Sequence, residues 1–594
     1  MLGPYLRKRK MKNLRRHWGI ILILIAFLAL GCGHAIWAPL FVKPDEERHF
    51  AYVVHIRKTG SLPLVGGRTA MPEVFDRILI HKKHQAPLYY LLASAFILPI
   101  PSNYLDDVER LYLPNPHFLS TIGGNRNRFV PCPCKAAKAV YAVRFLSLAF
   151  GAVVVIATYL IGLRFLPQEV ALMGSAGVAF LPSFAFIATS VDNDIAAAAF
   201  VTLSLLVAVE ILKNGFTVRR GLVFGLIAGM AGLSKLFGLT AFALVPFLAL
   251  MSPGQRKEKL KGAMAALSGS LISLPWFVGD WVLFGGPLAI LAPKQQRSVM
   301  ELREMLAFVW KSFWLDFSHG RILYGPPWVY WFYGLLTVVG ALGLIKALRH
   351  RVAKAFFGLC LLQLAFILVP QLLLSVGYFV GGGRYLLTVV SGIMLLLAYG
   401  VRELLPYRCT PIIWHLVLGS LALYALVGVL IPGYHLPSGQ VASLPAEPMG
   451  FLEDKFALVK YEYDKTTLAP GEELKVEIYW QLLRPVSENY SVFVQLLGRK
   501  GEREWPVAQV DTYPGLGYYP TCCWKVGKVV KDRYILRLPD DLPPLEGDLR
   551  LIAGMYKFET MKRLEAYQLR DGRRERLYQD AFTLGFINVA APGD

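Results

Sequence analysis

Long apolar runs constrain the fold of this chain more than any other feature of its sequence. A bilayer core needs about 20 predominantly apolar residues of helix to cross it. The chain is 55% hydrophobic, whereas a soluble domain is nearer about 45–50% apolar. The pattern therefore predicts a polytopic α-helical membrane protein with about eleven crossings. The runs lie near residues 18–40, 138–163, 168–189, 194–212, 220–235, 237–252, 262–283, 328–346, 355–378, 385–401 and 411–432.

The distribution of charge predicts which side of the membrane each loop faces. Residues 1–439 carry 42 Lys and Arg but 18 Asp and Glu. Such an excess can indicate nucleic-acid binding, but in a membrane protein it usually lies in cytoplasmic loops. If residues 86–101 do not cross, the basic N-terminus and four basic loops all face the cytoplasm. We therefore predict that 86–101 form a juxtamembrane or re-entrant helix inside one large outer loop, residues 41–137. The four basic loops are 213–220, 256–261, 346–354 and 402–408.

The hydrophobic pattern changes from about residue 450 onward. Residues 474–480, 491–496 and 533–538 alternate between apolar and polar side chains, which is typical of half-buried strands. Turn residues such as Pro470-Gly471 separate these segments. The sequence predicts seven or eight strands in a β-sandwich. We expect a transmembrane domain over 1–439 and an extracytoplasmic β-sandwich domain over 440–594, in a protein of the cell (inner or plasma) membrane.

Acidic residues cluster on the predicted outer side. The triplet Asp45-Glu46-Glu47 directly follows the first apolar run. Carboxylates at a membrane surface are candidates for function because they are costly there. Asp45 and His49 are four residues apart, so they share a helix face. The alternative is a solvated helix N-terminus, where acidic side chains favour the helix dipole.

Several cations are predicted to lie at the same outer surface. Lysine, arginine and histidine side chains there suit a lipid-linked phosphate, and the alternative is anchoring among lipid headgroups. Asp192-Asn193-Asp194, at a turn between two helices, adds carboxylates to the site or is an ordinary polar turn. No metal is assigned, although a divalent ion at the carboxylates is compatible with the residues. The cations are Lys82, Lys83, His84, Arg144, Lys235 and Arg384.

Four short segments, in this order, resemble the GT-C superfamily of integral-membrane glycosyltransferases. The nearer branch is similar to the protein O-mannosyltransferases and aminoarabinose transferases, including bacterial members with an outer β-domain. The segments are Pro44-Asp45-Glu46 through His49, His84-Gln85-Ala86-Pro87-Leu88-Tyr89-Tyr90, Arg144-Phe145-Leu146-Ser147 and Gly383-Arg384-Tyr385-Leu386.

The resemblance implies an inverting transferase that moves a sugar from a polyprenyl-phosphate-linked donor. The acceptor would be a hydroxyl of a glycan, lipid or protein on the extracytoplasmic face. Asp45 occupies the place of the family's catalytic base, and Glu46 is the second candidate. A transporter, or a non-catalytic scaffold carrying a carbohydrate-binding β-domain, remains an alternative. The expected substrate-binding residues are His49, Lys82, Lys83, His84, Arg144, Asp192, Asp194, Lys235, Arg384 and Tyr385.

Overall fold

A computed structural model describes most of the chain. The described residues are 17–63, 78–79, 82–118, 127–130, 134–284, 302–317, 323–347, 351–375, 382–434, 439–441, 447–570 and 573–590.

Contacts between Cα atoms divide the chain into two compact units. The membrane unit comprises Met1–Ala38, Lys43–Leu105 and Lys138–Gly433. The β unit comprises Pro39–Val42, Asp106–Ala137 and Tyr434–Asp594. The last segment of the β unit begins at Tyr434, and the sequence prediction starts the β-domain at 440. The β unit also takes in Asp106–Ala137, which the sequence places in the large first loop.

The described apolar runs form helices. The α-helices in chain order are α1 (Trp18–Trp37), α2 (Glu46–Thr59), α3 (Leu88–Phe96), α4 (Ala137–Phe165), α5 (Gln168–Ala179), α6 (Pro182–Ile187), α7 (Asn193–Asn214), α8 (Val218–Ser234), α9 (Leu244–Met251), α10 (Arg256–Gly269), α11 (Leu274–Phe284), α12 (Leu302–Trp314), α13 (Pro327–Ala347), α14 (Arg351–Ser375), α15 (Val390–Leu404), α16 (Thr410–Tyr424) and α17 (Ile431–Tyr434).

Seven helical segments of the described chain are long and apolar enough to cross a membrane. Three of the other four predicted runs correspond to shorter or interrupted helices, and the run at 355–378 overlaps α14, whose apolar stretch Lys354–Val369 is below the length criterion. The run at 168–189, for example, is split between α5 and α6. Pro182 begins α6, where a residue without an N–H is tolerated, and its ring restricts the residue before it. The prediction of a polytopic helical membrane protein is confirmed, with seven helices that meet the length criterion. These are Trp18–Trp37, Ala137–Phe165, Asn193–Asn214, Arg256–Leu283, Pro327–Ala347, Gly383–Leu404 and Thr410–Tyr434.

The doubtful run at 86–101 contains only the short helix α3. Its nine residues rise about 14 Å at about 1.5 Å per residue, roughly half of the hydrocarbon thickness. Within α3, Tyr89, Tyr90 and Ala93 are fully buried. The helix is therefore too short to span, in agreement with the predicted juxtamembrane or re-entrant segment.

Glycines allow α13 and α15 to pack backbone against backbone. A Cβ atom placed on Gly343 of α13 would collide with the carbonyl oxygen of Gly400 on α15. A Cβ on Gly400 would in turn collide with the carbonyl oxygen of Gly340. Small residues at such crossings are typical of helix association in membranes, where close packing replaces the hydrophobic effect.

The β unit contains two sheets. The strands are β1 (Gly439–Val441), β2 (Gly450–Leu452), β3 (Phe456–Tyr463), β4 (Thr467–Leu468), β5 (Glu473–Leu482), β6 (Ser491–Lys500), β7 (Arg503–Thr512), β8 (Val529–Arg537), β9 (Leu549–Lys557), β10 (Lys562–Arg563), β11 (Ala566–Arg570), β12 (Arg573–Arg576) and β13 (Phe582–Val589). One sheet has the order β1-β8-β5-β3-β2-β11-β12, and the other β4-β13-β9-β6-β7 with β10 beside β9.

Alternating side chains from both sheets form one core. Val476, Ile478 and Trp480 of β5 are 0% exposed, and they share a cluster with Val494 of β6 and Leu551 of β9. The other side chains of these strands point to the opposite face, as period-two alternation requires. The predicted β-sandwich is confirmed, although thirteen described strands exceed the seven or eight expected. The extra ones are mostly segments of two to five residues, too short to give an alternating pattern.

Residues of the first loop are built into the β unit. His117 lies 2.8 Å from the Ser491 hydroxyl oxygen of β6. The Asn127 amide donates to the carbonyl oxygen of Gly517 at 2.5 Å. Cys522 is disulfide-bonded, and Cys134 is a free thiol.

Replacing Gly343 by alanine should destabilise the membrane unit. The added methyl group meets the Gly400 carbonyl, and overpacking of this kind costs about 1–3 kcal/mol. Gly279→Ala in α11 is the matched control, because a Cβ there meets nothing within 4 Å and alanine favours helix. Thermal melting in detergent should fall for Gly343→Ala and stay level or rise for Gly279→Ala. Equal melting temperatures would contradict the close crossing.

His117 should make the stability of the β unit depend on pH. Burial disfavours the charged ring and lowers the pKa of His117 to about 4, against about 6.5 in an unfolded chain. The unfolded chain therefore binds more protons between these values, so this stabilisation is complete above about pH 6.5 and is lost as pH falls towards 4. Between pH 7 and 5, the melting temperature should fall less for His117→Gln than for wild type. Parallel curves would contradict the assignment.

Candidate active site

The acidic triplet begins α2, and its first member has an unusual backbone. Asp45 is the N-cap residue of α2 and adopts the left-handed conformation, with φ 56° and ψ 11°. Its carbonyl oxygen accepts from the backbone N–H of His49 at 3.1 Å. Aspartate tolerates this region better than most residues, and such conformations cluster at functional sites.

Two cations meet the same oxygen of Asp45. The Lys82 ammonium lies 3.3 Å from Asp45 Oδ2, and the Arg384 guanidinium lies 3.2 Å from it. The other oxygen, Oδ1, is 3.6 Å from Arg48. The structure thus brings together three residues that are 37 and 339 positions apart in the sequence.

Arg384 also faces the carboxylates of the Asp192-Asn193-Asp194 turn. Its nitrogens lie 4.0 Å from Asp192 Oδ2 and 4.0 Å from Asp194 Oδ2. Lys235 makes an ion pair with the other oxygen of Asp194. Three carboxylates therefore surround Arg384 and are balanced by it, Lys82 and Lys235. Buried charges are tolerated when they are paired in this way.

The local fold explains how these side chains are presented. Asp192 caps the N-terminus of α7, where its side chain accepts from the Asp194 N–H at 2.9 Å, as short acidic residues do at helix starts. The Tyr89 hydroxyl accepts from the Asp192 N–H at 3.1 Å. On the other side, the Gly383 N–H donates to the Ser312 hydroxyl at 2.6 Å. These hydrogen bonds fix the backbone of the Asp192-Asn193-Asp194 turn and of Gly383, the residue before Arg384.

His49 lies behind the carboxylate cluster. Its Nδ1 is 2.6 Å from the Tyr90 hydroxyl, and its Nε2 is 3.6 Å from Asp192 Oδ1. Tyr90 stacks on Tyr52, with ring centroids 3.9 Å apart. Burial, with a smaller effect from the Lys82 charge, holds the pKa of His49 well below its usual value. A neutral His49 accepts from Tyr90 at Nδ1 and directs its Nε2 N–H towards Asp192.

Glu46 and Arg144 form a separate, fully buried ion pair. Arg144 contacts both Glu46 oxygens, at 2.8 and 2.6 Å, and both side chains are 0% exposed. Arg144 also donates to the carbonyl oxygens of Ala35 and Ala38. Burial favours the neutral acid, but the charge and hydrogen bonds of Arg144, together with Lys43 and the Val191 N–H, outweigh it, so the pKa of Glu46 lies below its usual value. The pair joins the end of α1, the start of α2 and the first third of α4.

The remaining predicted residues are placed at the margin of the cluster. Tyr385 lies under two cations, with Lys235 4.7 Å and Arg384 5.3 Å from its ring centroid. Lys83 is buried, and His84 is 3.0 Å from the Gln85 side chain.

Sequence reasoning missed several residues that support the site. Lys43 is fully buried and donates to the Thr189 hydroxyl at 2.7 Å. Asn193 donates to Gln85 Oε1 at 3.1 Å and to the Ser234 carbonyl at 2.8 Å. Gln85 and Tyr90 both lie in the motif that runs from His84 to Tyr90. Their place in that motif is the sequence signal that could have identified them as site residues. Lys43 stands directly before the acidic cluster, but a single lysine at a membrane surface has no distinguishing pattern.

A metal site is not formed by the side chains that the structure describes. No group of three His, Cys, Asp or Glu ligands lies close enough to share an ion in that part of the chain. The Arg384 guanidinium stands among Asp45, Asp192 and Asp194 instead. The donor set therefore does not match a carboxylate cage for a divalent ion.

Comparison with solved structures finds two membrane enzymes among its matches. ArnT from Cupriavidus metallidurans, in the apo state, is 15% identical with a TM-score of 0.42, over 64% of this chain and 59% of that one. The oligosaccharyltransferase of Archaeoglobus fulgidus, also apo, is 12% identical with a TM-score of 0.38, over 70% and 55%. This chain thus spans less than two thirds of the length of either structure. No curated protein matches the sequence.

Comparison with family models finds one match. Residues 137–282 match the family described as dolichyl-phosphate-mannose-protein mannosyltransferase. The matched segment contains Arg144, Asp192, Asp194 and Lys235 of the site. The match confirms the resemblance that the motifs predict, and residues 137–282, about a quarter of the chain, are similar to that family.

Proposed function

We propose that this protein transfers a sugar from a polyprenyl-phosphate-linked donor to an acceptor hydroxyl. The reaction would take place on the extracytoplasmic side of a cell membrane, where the positive-inside rule places the site. The observation that carries the proposal is the meeting of Lys82 and Arg384 on a single oxygen of Asp45. The family match over residues 137–282 supports the same class of reaction.

Asp45 is the carboxylate best placed to act as general base. Its side chain is 12% exposed, against 1% for Asp192 and 3% for Asp194. An acceptor hydroxyl can therefore reach Asp45 more readily than the two aspartates of the turn. Glu46 is enclosed with Arg144 and is assigned to holding the turn rather than to proton transfer.

The cations on Asp45 have a second possible partner in the donor. A phosphate carries more negative charge than one carboxylate and attracts Lys82 and Arg384 through charge-assisted hydrogen bonds. Donor binding would thus draw both cations from Asp45 towards the leaving phosphate. The freed carboxylate is a stronger base, because a nearby cation favours the ionised form. Donor binding and activation of the base are coupled in this scheme.

The reaction then needs one displacement. Asp45 takes the proton of the acceptor hydroxyl as its oxygen attacks the anomeric carbon, and the bond from that carbon to the phosphate oxygen breaks. Lys82 and Arg384 stabilise the charge that develops on the leaving phosphate. Lys235 is held by Asp194 and keeps that carboxylate from repelling the phosphate. A single displacement inverts the sugar configuration.

Asp45→Asn should abolish transfer without preventing folding. The amide preserves the size of the side chain and removes the base, which typically contributes about 10²–10⁴-fold. The measurement is mass spectrometry of donor lipid and released glycan in membranes containing equal amounts of each protein. Asp106→Asn, an exposed carboxylate in the same first loop, is the control and should be active. Wild-type transfer by Asp45→Asn would overturn the assignment.

Arg384→Met should weaken binding of polyprenyl phosphate. Loss of one charge-assisted contact costs about 1.5–3 kcal/mol, or roughly 10–100-fold in affinity. The probe is undecaprenyl phosphate added to the purified protein in nanodiscs. Arg402→Met is the matched control, because Arg402 is 21% exposed and pairs with Glu169 away from the site. Equal affinity of wild type and Arg384→Met would contradict the phosphate role.

A further inference from the structure

The outer face of the six-stranded sheet, β4-β13-β9-β6-β7 with β10 beside β9, carries a small aromatic cluster. Among the described residues of the β unit, the most exposed aromatic side chains are Tyr578 at 71% and Phe586 at 58%. Both lie around Arg550 of β9. Exposed apolar side chains scattered singly need no explanation, but these two converge on one charged group.

The geometry around Arg550 is set by the sheet. Phe586 of β13 is the direct cross-strand partner of Arg550, so their side chains share the outer face about 5 Å apart at Cβ. The Arg550 guanidinium carbon lies 5.5 Å from the centroid of the Tyr578 ring. A guanidinium is therefore flanked by two exposed aromatic rings.

Polar groups on the same face surround the guanidinium. Arg550 donates to Glu504 Oε2 at 2.7 Å, to Gln579 Oε1 at 2.9 Å and to Thr583 Oγ1 at 3.3 Å. The Gln579 amide lies 3.5 Å from the same Glu504 oxygen. Because Arg550 is paired with Glu504, the pair adds hydrogen-bond donors and acceptors to this face without adding net charge.

The turn that presents Tyr578 is held in a strained conformation. Gln579 and Asp580 both adopt positive φ, at 59° and 50°, which is uncommon for residues other than glycine. Asp580 accepts two hydrogen bonds of 2.8 Å from Arg576. The Gln579 carbonyl accepts from Arg563 at 2.9 Å. Local strain of this kind persists where the surrounding structure holds it, so Tyr578 is fixed before any ligand arrives.

We propose that this face, defined by Tyr578, Phe586, Arg550, Glu504 and Gln579, binds a neutral glycan chain. The C–H face of a pyranose ring packs on an aromatic side chain, and its hydroxyls pair with guanidinium, carboxylate and amide groups at the ring edge. A site of aromatic rings with a few fixed polar groups is the usual form of a small-ligand site. This inference does not rest on the transfer reaction, since its residues lie outside the candidate active site.

The charge and the size of this face favour a neutral glycan over an anionic polymer or a protein partner. An anionic polymer would need unpaired cations, whereas Arg550 is paired with Glu504 and Arg576 with Asp580. A stable protein interface buries about 800 Å² per partner around an apolar centre. Here only two exposed apolar side chains lie beside the charged pair Arg550–Glu504. The patch matches one or two sugar rings instead.

The test is direct binding of neutral oligosaccharides to the full-length protein. The probes are mannopentaose and cellopentaose, measured by isothermal titration and by ligand-observed NMR. The protein is kept in nanodiscs, because glycoside detergents would compete. We expect the double variant Tyr578→Ala/Phe586→Ala to lose at least about 10-fold in affinity, since each ring supplies a stacking surface. Ile535→Ala, an exposed apolar residue on the other sheet at 48% exposure, is the matched control.

The outcomes separate this proposal from the proposed enzymatic function. Binding should be unchanged in Asp45→Asn, whose defect lies in transfer. If neither probe binds wild type, or if the double variant binds as well as wild type, the glycan site is overturned. Arg550→Lys gives a milder change on the same face, because it keeps the charge and loses the planar donor set. It should lower the affinity less than the double aromatic variant.

Discussion

The balance of charge around Arg384 is the interaction on which the site depends. Three carboxylates, Asp45, Asp192 and Asp194, are brought within 4.0 Å of one guanidinium. Without cations, burying these acids would cost several kcal/mol for each charge. Arg384 is the most exposed side chain of the set, at 20%. The cation that neutralises the cluster is therefore also the group that a ligand can reach.

Burial separates the roles of neighbouring acidic residues. Asp45 and Glu46 are adjacent in sequence, yet only Asp45 retains access to solvent. Glu46 and Arg144 connect α1, α2 and α4, and they hold the turn in which Asp45 takes its left-handed backbone. Behind that turn, the neutral His49 and Tyr90 support Asp192. The cluster is thus presented by a buried polar layer, whose satisfied hydrogen bonds make it rigid.

The β unit uses its two sheet faces differently. The inner faces form one apolar core around Trp480. On the outer face of the second sheet, Phe493, Leu497 and Ile552 form a smaller cluster. The same outer face also carries Arg550 and its polar partners, together with the exposed rings of Tyr578 and Phe586. A unit with a closed core and a preformed aromatic surface is suited to binding, whereas the membrane unit carries the charges suited to chemistry.

The sequence predicts the membrane helices and the β-sandwich. Hydrophobic length predicts the membrane helices because a bilayer requires about 20 apolar residues, and period-two alternation predicts the sandwich because strands bury one face. The predicted outer surface and the motifs together identify Asp45, Lys82, Asp192, Asp194, Lys235 and Arg384 as candidates. The resemblance places Asp45 ahead of Glu46, but no physical argument from the sequence separates them, and no role is assigned to Tyr90, Lys43 or the face around Arg550.

Tertiary structure decided those points, because burial and pairing arise between residues far apart in the chain. Glu46 is enclosed only because Arg144, 98 residues away, meets it. Phe586 and Tyr578 become a site only because strand pairing sets them around Arg550. The sequence by itself determined which segments enter the membrane, which form strands and which residues could be charged partners. Only the fold decided which charges meet and which remain open, since distance and dielectric, rather than spacing along the chain, govern that choice.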